Sequence, residues 1–203
     1  MNEQNSAAKY LDSWQFTTQT ESSLKVAKTD TEIVRYYESG ESLIRLRGGD
    51  LYKSLGGKEI SRNGTGNTSV ALKLDLGVLK LKQSKYLFAS YCKVVDPLKP
   101  WLALWAVNSP IIAGKRISPK SHPADGLLDI IEFSMRLREF QKAYKRFKSG
   151  DHIPHPDIKT SKKSEYRINL NKKQRIVVDG KTVAYAKDLS IELIPHAIAV
   201  VLL

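Results

Sequence analysis

Apolar residues in this chain recur at spacing two in one short run after another, and they switch to a long helical spacing only once. A β-strand turns its side chains to alternate faces, so each such run must bury one face against a second layer. Runs of this texture cover 24–28, 32–37, 42–47, 70–80, 86–95, 101–107 and 127–133, then 165–170, 175–178, 182–186, 189–194 and 198–203. Leu72, Leu74 and Leu76 set the pattern in the fourth run, and Gly77 after them marks a bend. The helical stretch is 134–149, where Leu137, Phe140, Tyr144 and Phe147 fall on one face between the end signals Ser134 and Gly150. A short helix is expected at 50–55, capped by Asp50 and stopped by Gly56-Gly57. The expected fold is mainly β: an antiparallel β-sandwich of about ten strands with the amphipathic helix inserted late. Residues 1–22 are polar and read as an extension, frayed or weakly helical, with Trp14 and Phe16 as anchors; 23–203 form the single domain. No alternating βαβ pattern is present, which excludes a doubly wound nucleotide-binding domain.

Hydrophobic residues occupy 41% of the 203 positions, enough for a core and too many for a disordered chain. No stretch approaches the roughly 18 uninterrupted apolar residues of a membrane helix. Met1 to Ser6 lacks the basic-then-apolar order of a secretory signal, and Cys92 stands alone, so no internal disulfide can form. These features point to the cytoplasm. The net charge of +12 points to a polyanionic partner, an anionic lipid surface or nucleic acid. Arg136, Arg138, Lys142, Lys145, Arg146 and Lys148 lie on the expected helix, and a second basic group runs from Lys159 to Arg175. The helix can lay its cations on lipid head groups or simply solvate its outer face. Tyr144 and Phe147 read as core and not as stacking platforms, which makes nucleic acid the lesser partner.

Two glycine-rich turns invite a phosphate reading, because such turns aim backbone N–H groups at anions. Gly64-Thr65-Gly66-Asn67 precedes an alternating run and not the helix that a phosphate loop needs, so it reads as a plain loop over 61–69. Gly48-Gly49-Asp50 leads into Leu51-Tyr52-Lys53 and reads as a strand-to-helix turn. No nucleotide-binding residue is assigned. His152 and His155 are three apart, but Pro154 and Pro156 hold the chain extended and splay the rings; a rigid recognition loop fits better than zinc. No Ser-His-Asp or Cys-His nucleophile can be assembled from local sequence. The Pro- and Gly-rich turn between Asn108 and Asp129 carries Asp125 and Asp129, which can cap the turn or bind a hard cation, and both readings stay open. Asp179 belongs to Val178-Asp179-Gly180-Lys181, a strong two-residue hairpin signal.

Asn108, Gly114, Pro119 and Asp125-Gly126-Leu127-Leu128-Asp129, then Val178-Asp179-Gly180, then Ile191 to Pro195-His196-Ala197, together resemble one family. They are similar to the carboxyl-terminal domain of the diacylglycerol kinase and sphingosine kinase-like lipid kinases, the YegS-like group, over about residues 70–203. Ser121 to Gly126 and Gly150 to Pro156 also resemble a single-domain bacterial branch of it. The resemblance implies a two-layer β-sandwich docked on a nucleotide-binding domain, with ATP and lipid meeting between them. It further implies structural Mg2+ at Asp125 and the Leu127 backbone, with Asp129 nearby, and a catalytic position for Asp179.

Departures from the family pattern weigh against chemistry. Its hairpin Glu is replaced by Lys181, and its glycine cluster is thinned to Ala113-Gly114. Its ATP-binding glycine motifs are echoed only at 48–50 and 64–67, too close together for the helix and strand that separate them in the family. The expectation is a lipid kinase-related β domain, catalytically deficient in isolation and without ATP. It would bind a lipid or lipid phosphate at the inner face of the membrane, or regulate a protein partner. The alternatives are an active ATP-dependent lipid kinase, alone or completed by a separate nucleotide-binding subunit, and a basic nucleic-acid-binding protein.

Overall fold

The computed structural model describes residues 13–19, 23–57 and 68–203. Its elements in chain order are β1 (Gln15–Gln19), β2 (Val26–Ala27), α1 (Asp30–Glu38), β3 (Leu43–Leu46), α2 (Gly49–Ser54), β4 (Thr68–Lys80) and β5 (Lys85–Phe88). There follow β6 (Tyr91–Val95), β7 (Leu102–Val107), β8 (Ile111–Ile112), β9 (Lys115–Arg116), β10 (Leu128–Ser134), α3 (Leu137–Arg146), β11 (Ile158–Lys163), β12 (Glu165–Val178) and β13 (Lys181–Leu202). Eleven strands share one sheet along the path β1-β4-β13-β12-β6-β7-β10-β11, with β2, β3 and β5 branching from it and β8–β9 forming a separate hairpin. Pairing is antiparallel except where β3 lies parallel to β2 and β13.

The sheet curls into two facing layers. Tyr166 on β12 donates its hydroxyl to Glu132 on β10 at 3.0 Å, although these strands are three ladders apart, roughly 14 Å in a flat sheet. One apolar cluster accordingly joins Leu79 of β4, Val94 of β6, Leu128 of β10 and Ile191 of β13. A second lies under α1 and α2, around Ile33, Ile44, Leu74 and Val200. A third lies under α3, where Phe147 and Ala143 meet Tyr91, Val107, Ile131 and Phe133. The sandwich expected from the alternation is the fold observed.

Several local expectations are corrected. Residues 32–37 are helical because Thr29 accepts the N–H of Glu32, and Glu32 reaches back to the N–H of Lys28, a capping arrangement that alternation alone does not show. Asp50 does not cap α2; the carboxylate of Asp30 does, accepting the N–H groups of Asp50 (3.0 Å) and Leu51 (3.3 Å). Ser134 ends β10, and α3 starts from Arg136 without a side-chain cap. Gly77 continues β4 without a bend, because the ring of Phe88 lies across the strand where a Cβ would sit. The runs at 182–186, 189–194 and 198–203 are one 22-residue strand. It bulges between Ile194 and Ile198, where His196 takes a φ of 51°. Gln15–Gln19, expected in a frayed extension, pairs with β4 as part of the main sheet. The loop centred on Gly64 to Asn67 lies outside the described residues, as does most of 1–22.

Candidate functional site

The β12–β13 hairpin turns as its sequence demands, with φ of 41° at Asp179 and 87° at Gly180. Its carboxylate points inward. Oδ2 accepts the N–H of Ala89 at 2.7 Å, and Oδ1 accepts those of Ser90 at 3.0 Å and Tyr91 at 2.9 Å. Burial, opposed by these donors, pushes its pKa from 3.8 up to about 7. Beside it Asp30 accepts the hydroxyl of Ser90 at 2.6 Å, and burial raises its pKa too. Asp50 in turn accepts the N–H groups of Ala113 at 2.6 Å and Gly114 at 3.3 Å. The cleft over this cluster, about 630 Å³, is also lined by Arg35, Lys53 and Lys181. A carboxylate that titrates near neutrality can accept a proton from an approaching hydroxyl. In this structure, however, Asp179 primarily holds the bend between β5 and β6.

The Gly48-Gly49-Asp50 turn does not present a phosphate loop. Glycine is required at 48 because a Cβ would strike the carbonyl of Lys28, and at 49, with φ of 96°, because it would strike the Asp30 carboxylate. The N–H groups that would face a phosphate already face that carboxylate.

Asp125, on the turn leading into β10, and Asp129, the second residue of that strand, come together, both buried. Oδ1 of Asp125 accepts the N–H of Leu127 at 3.1 Å, and its Oδ2 meets Lys162 Nζ at 2.5 Å. The same ammonium is 3.9 Å from Asp129 Oδ2. These residues do not fit the divalent cation that the resemblance implies, because the cation position between the carboxylates is held by Lys162. Among the described residues, no group of three or more His, Cys, Asp or Glu side chains could hold a metal. Asp75 supports the turn from below, accepting the N–H groups of Gly126 at 2.8 Å and His196 at 2.7 Å. Asn108 fastens the same region, donating from Nδ2 to the carbonyls of Asp75 at 2.8 Å and Ala89 at 2.9 Å.

All six expected cations are exposed, Arg138, Lys142, Lys145 and Arg146 on α3 itself and Arg136 and Lys148 just outside its two ends. The apolar stripe is divided: Phe147 is fully buried, whereas Leu137 and Tyr144 are 44% and 49% exposed among the cations. His152 belongs to the core. Its Nε2 lies 3.1 Å from the carbonyl of Ile117, and its ring meets Phe147 edge-on at 4.4 Å. His155 is half-buried and accepts the N–H of Asp157, so the pair forms no shared recognition surface. Cys92 is fully buried with its pKa pushed up, an inert packing residue.

A second cleft, unforeseen in the sequence, opens between α3, the β8–β9 hairpin and the β12-β6-β7 face. Its volume is about 420 Å³. Lys93 lies 3.8 Å above the ring of Trp105, and Lys115 lies 3.4 Å above that of Tyr144. Arg175 joins them from β12 with its Nε buried and without a hydrogen-bond partner. Burial, then repulsion from Lys115 and Arg175, pulls the Lys93 pKa down to about 8. The available signal was phase: Lys93 is level with Tyr91 and Val95, and Arg175 with Val177, all on the face that α3 covers.

Comparison with known proteins agrees with the fold. The profile of the YegS C-terminal NAD kinase beta sandwich-like domain matches residues 98–202. The chain is similar to a diacylglycerol kinase structure from Bacillus anthracis str. Sterne, with 13% identity, a TM-score of 0.54, and 86% of this chain and 81% of that one covered. Two further Bacillus anthracis str. Sterne structures, provisionally described as diacylglycerol kinases, give TM-scores of 0.60. One is 12% identical over 86% of this chain and 82% of its own, and the other 13% over 99% and 83%. No curated protein matches the chain.

Proposed function

The chain belongs to the family of YegS C-terminal NAD kinase beta sandwich-like domains, and from that premise we propose a lipid kinase-related β domain that is catalytically deficient by itself and binds an anionic lipid surface. The observation that carries this reading is α3. With the residues at its two ends it buries Ala143 and Phe147 yet leaves Leu137 and Tyr144 exposed among six exposed cations. Two apolar side chains inside a basic patch suit the boundary between head groups and acyl chains, where the cations meet lipid phosphates. No helix among the described residues is long and apolar enough to cross a membrane, so contact through helices would be peripheral. Phosphoryl transfer would need a nucleotide site supplied by another domain or subunit, and Asp179 would face it.

The test is flotation with phosphatidylglycerol vesicles and with phosphatidylcholine vesicles. The chain is expected to float with the anionic vesicles at low salt and to be released as salt rises. Lys142→Glu/Lys145→Glu is expected to stay at the bottom of the gradient while keeping its melting temperature. Absence of flotation by the unaltered chain at low salt overturns the reading.

A further inference from the structure

The cleft beside α3 holds a charge arrangement that the fold does not explain. Lys93 and Arg175 sit at core-facing positions, where the neighbouring strand residues are Tyr91, Val95 and Val177. In the antiparallel ladder Lys93 is opposite Val177, which places Arg175 diagonally across from it on the same face. Lys115 reaches in from the β8–β9 hairpin. No Asp or Glu lines the cleft, and among the described residues none of these cations has an ion-pair partner. Aromatic faces hold two of the ammonium groups without neutralising them. Like charges gathered in a partly buried site cost stability unless an anion joins them.

We propose that this cleft binds a phosphate monoester, with Lys93, Lys115 and Arg175 on the phosphate and the rest of the ligand leaving over Phe140 and Tyr144. Charge selects the group: a phosphate monoester carries close to two negative charges near neutrality, and its oxygens can meet several donors together. A monoanion would leave most of the charge unbalanced. The exit is apolar. Phe140 and Tyr144 line both this cleft and the groove on the outer face of α3, where Leu137 is exposed. A lipid phosphate could therefore seat its head group in the cleft and its chains at the membrane-facing side of the helix. In that lipid form the inference rests on the proposed lipid reading; in the free-phosphate form it stands on the cleft alone.

Calorimetry on the full chain tests it with three water-soluble probes: dihexanoyl phosphatidic acid, dihexanoyl phosphatidylcholine and inorganic phosphate. Phosphatidic acid is expected to bind, and phosphatidylcholine is not. Lys93→Met, which keeps the bulk and removes the charge, is expected to weaken phosphatidic acid binding about tenfold or more while raising the melting temperature. A merely structural lysine would not give that opposite pair of changes. Arg175→Gln, at a half-exposed position, carries the same comparison if Lys93→Met fails to fold. Equal affinity for inorganic phosphate and phosphatidic acid supports a free phosphate ligand; preference for phosphatidic acid supports a lipid phosphate. Lys93→Met also separates the two readings, since it should lose phosphatidic acid affinity yet keep flotation with phosphatidylglycerol vesicles, which the exposed cations along α3 would hold. The inference is overturned if no phosphate probe binds, if phosphatidylcholine binds equally well, or if both cleft variants retain full affinity.

Discussion

Asp30, Asp50, Asp75 and Asp179 each accept backbone N–H groups from segments distant in sequence. Such carboxylates do for loops what hydrogen-bonded ladders do for strands, and their removal leaves buried donors unsatisfied. Asp179 has the further property of titrating near neutrality. Its folded pKa of about 7 lies above its ordinary 3.8, mainly because burial disfavours the charge. The protonated form is therefore the one that folding favours. That contribution is complete below pH 4 and is lost as pH rises through 7. Asp179→Asn cannot ionise, so its stability should lack this component. At pH 4 the variant is expected to be the weaker protein, because an amide offers one acceptor oxygen where the carboxyl meets three donors. By pH 8 the gap should close by on the order of a few kcal/mol. Denaturant unfolding of both proteins from pH 4 to 8 measures it; a constant gap shows that Asp179 does not titrate in this window.

At the scale of elements, β4 and β5 meet through one cross-strand exchange of volume. Gly77 is opposite Phe88, and the fully buried ring fills the place of the missing side chain. Gly77→Ala should destabilise by about 1–3 kcal/mol through overpacking. Gly77→Ala/Phe88→Leu should recover part of that loss, and additive losses in thermal unfolding would deny the contact its role. The same pair shows where sequence reading fails. A glycine inside an alternating run looks like a bend, because its partner lies on another strand. The hairpin at Asp179-Gly180 was legible because both signals are local, and so was α3 from its helical spacing. The helix α1 was hidden because Ile33-Val34 and Tyr36-Tyr37 suit a strand as well; Thr29 to Glu32 held the deciding cap. The long strands β12 and β13 looked broken because their bulges carry the polar residues that usually end strands. Of the candidate site, the basic helix and the carboxylates could be named in advance. The cleft cations could not, since Lys93 and Arg175 acquire meaning only when β6 and β12 lie side by side.

For the whole molecule, a net charge of +12 makes polyanions attractive from a distance, and ATP with magnesium is one of them. Specific nucleotide binding needs more than charge: free N–H groups at a loop, or a metal held to bridge the phosphates. At the Gly48-Gly49-Asp50 turn the N–H groups of Asp50 and Leu51 are engaged by Asp30. The Asp125 and Asp129 pair is already served by Lys162. The described sheet is largely antiparallel; its one strand-helix-strand crossover, β2-α1-β3, joins strands of two and four residues and does not build the run of parallel strands at whose edge dinucleotides and mononucleotides bind. Titration of this chain with ATP in millimolar magnesium should therefore give no saturable heat at physiological salt. Magnesium alone should leave its melting temperature unchanged, because binding to the folded state would raise it. Lys162→Ala tests the substitution directly. It should lower stability in magnesium-free buffer by leaving two buried carboxylates unpaired, and magnesium should restore part of the loss if the vacated position can accept a divalent ion. Saturable micromolar binding of ATP by the unaltered chain would overturn the deficiency, and attention would shift to the cleft over Asp179, where Arg35, Lys53 and Lys181 supply the available positive charge.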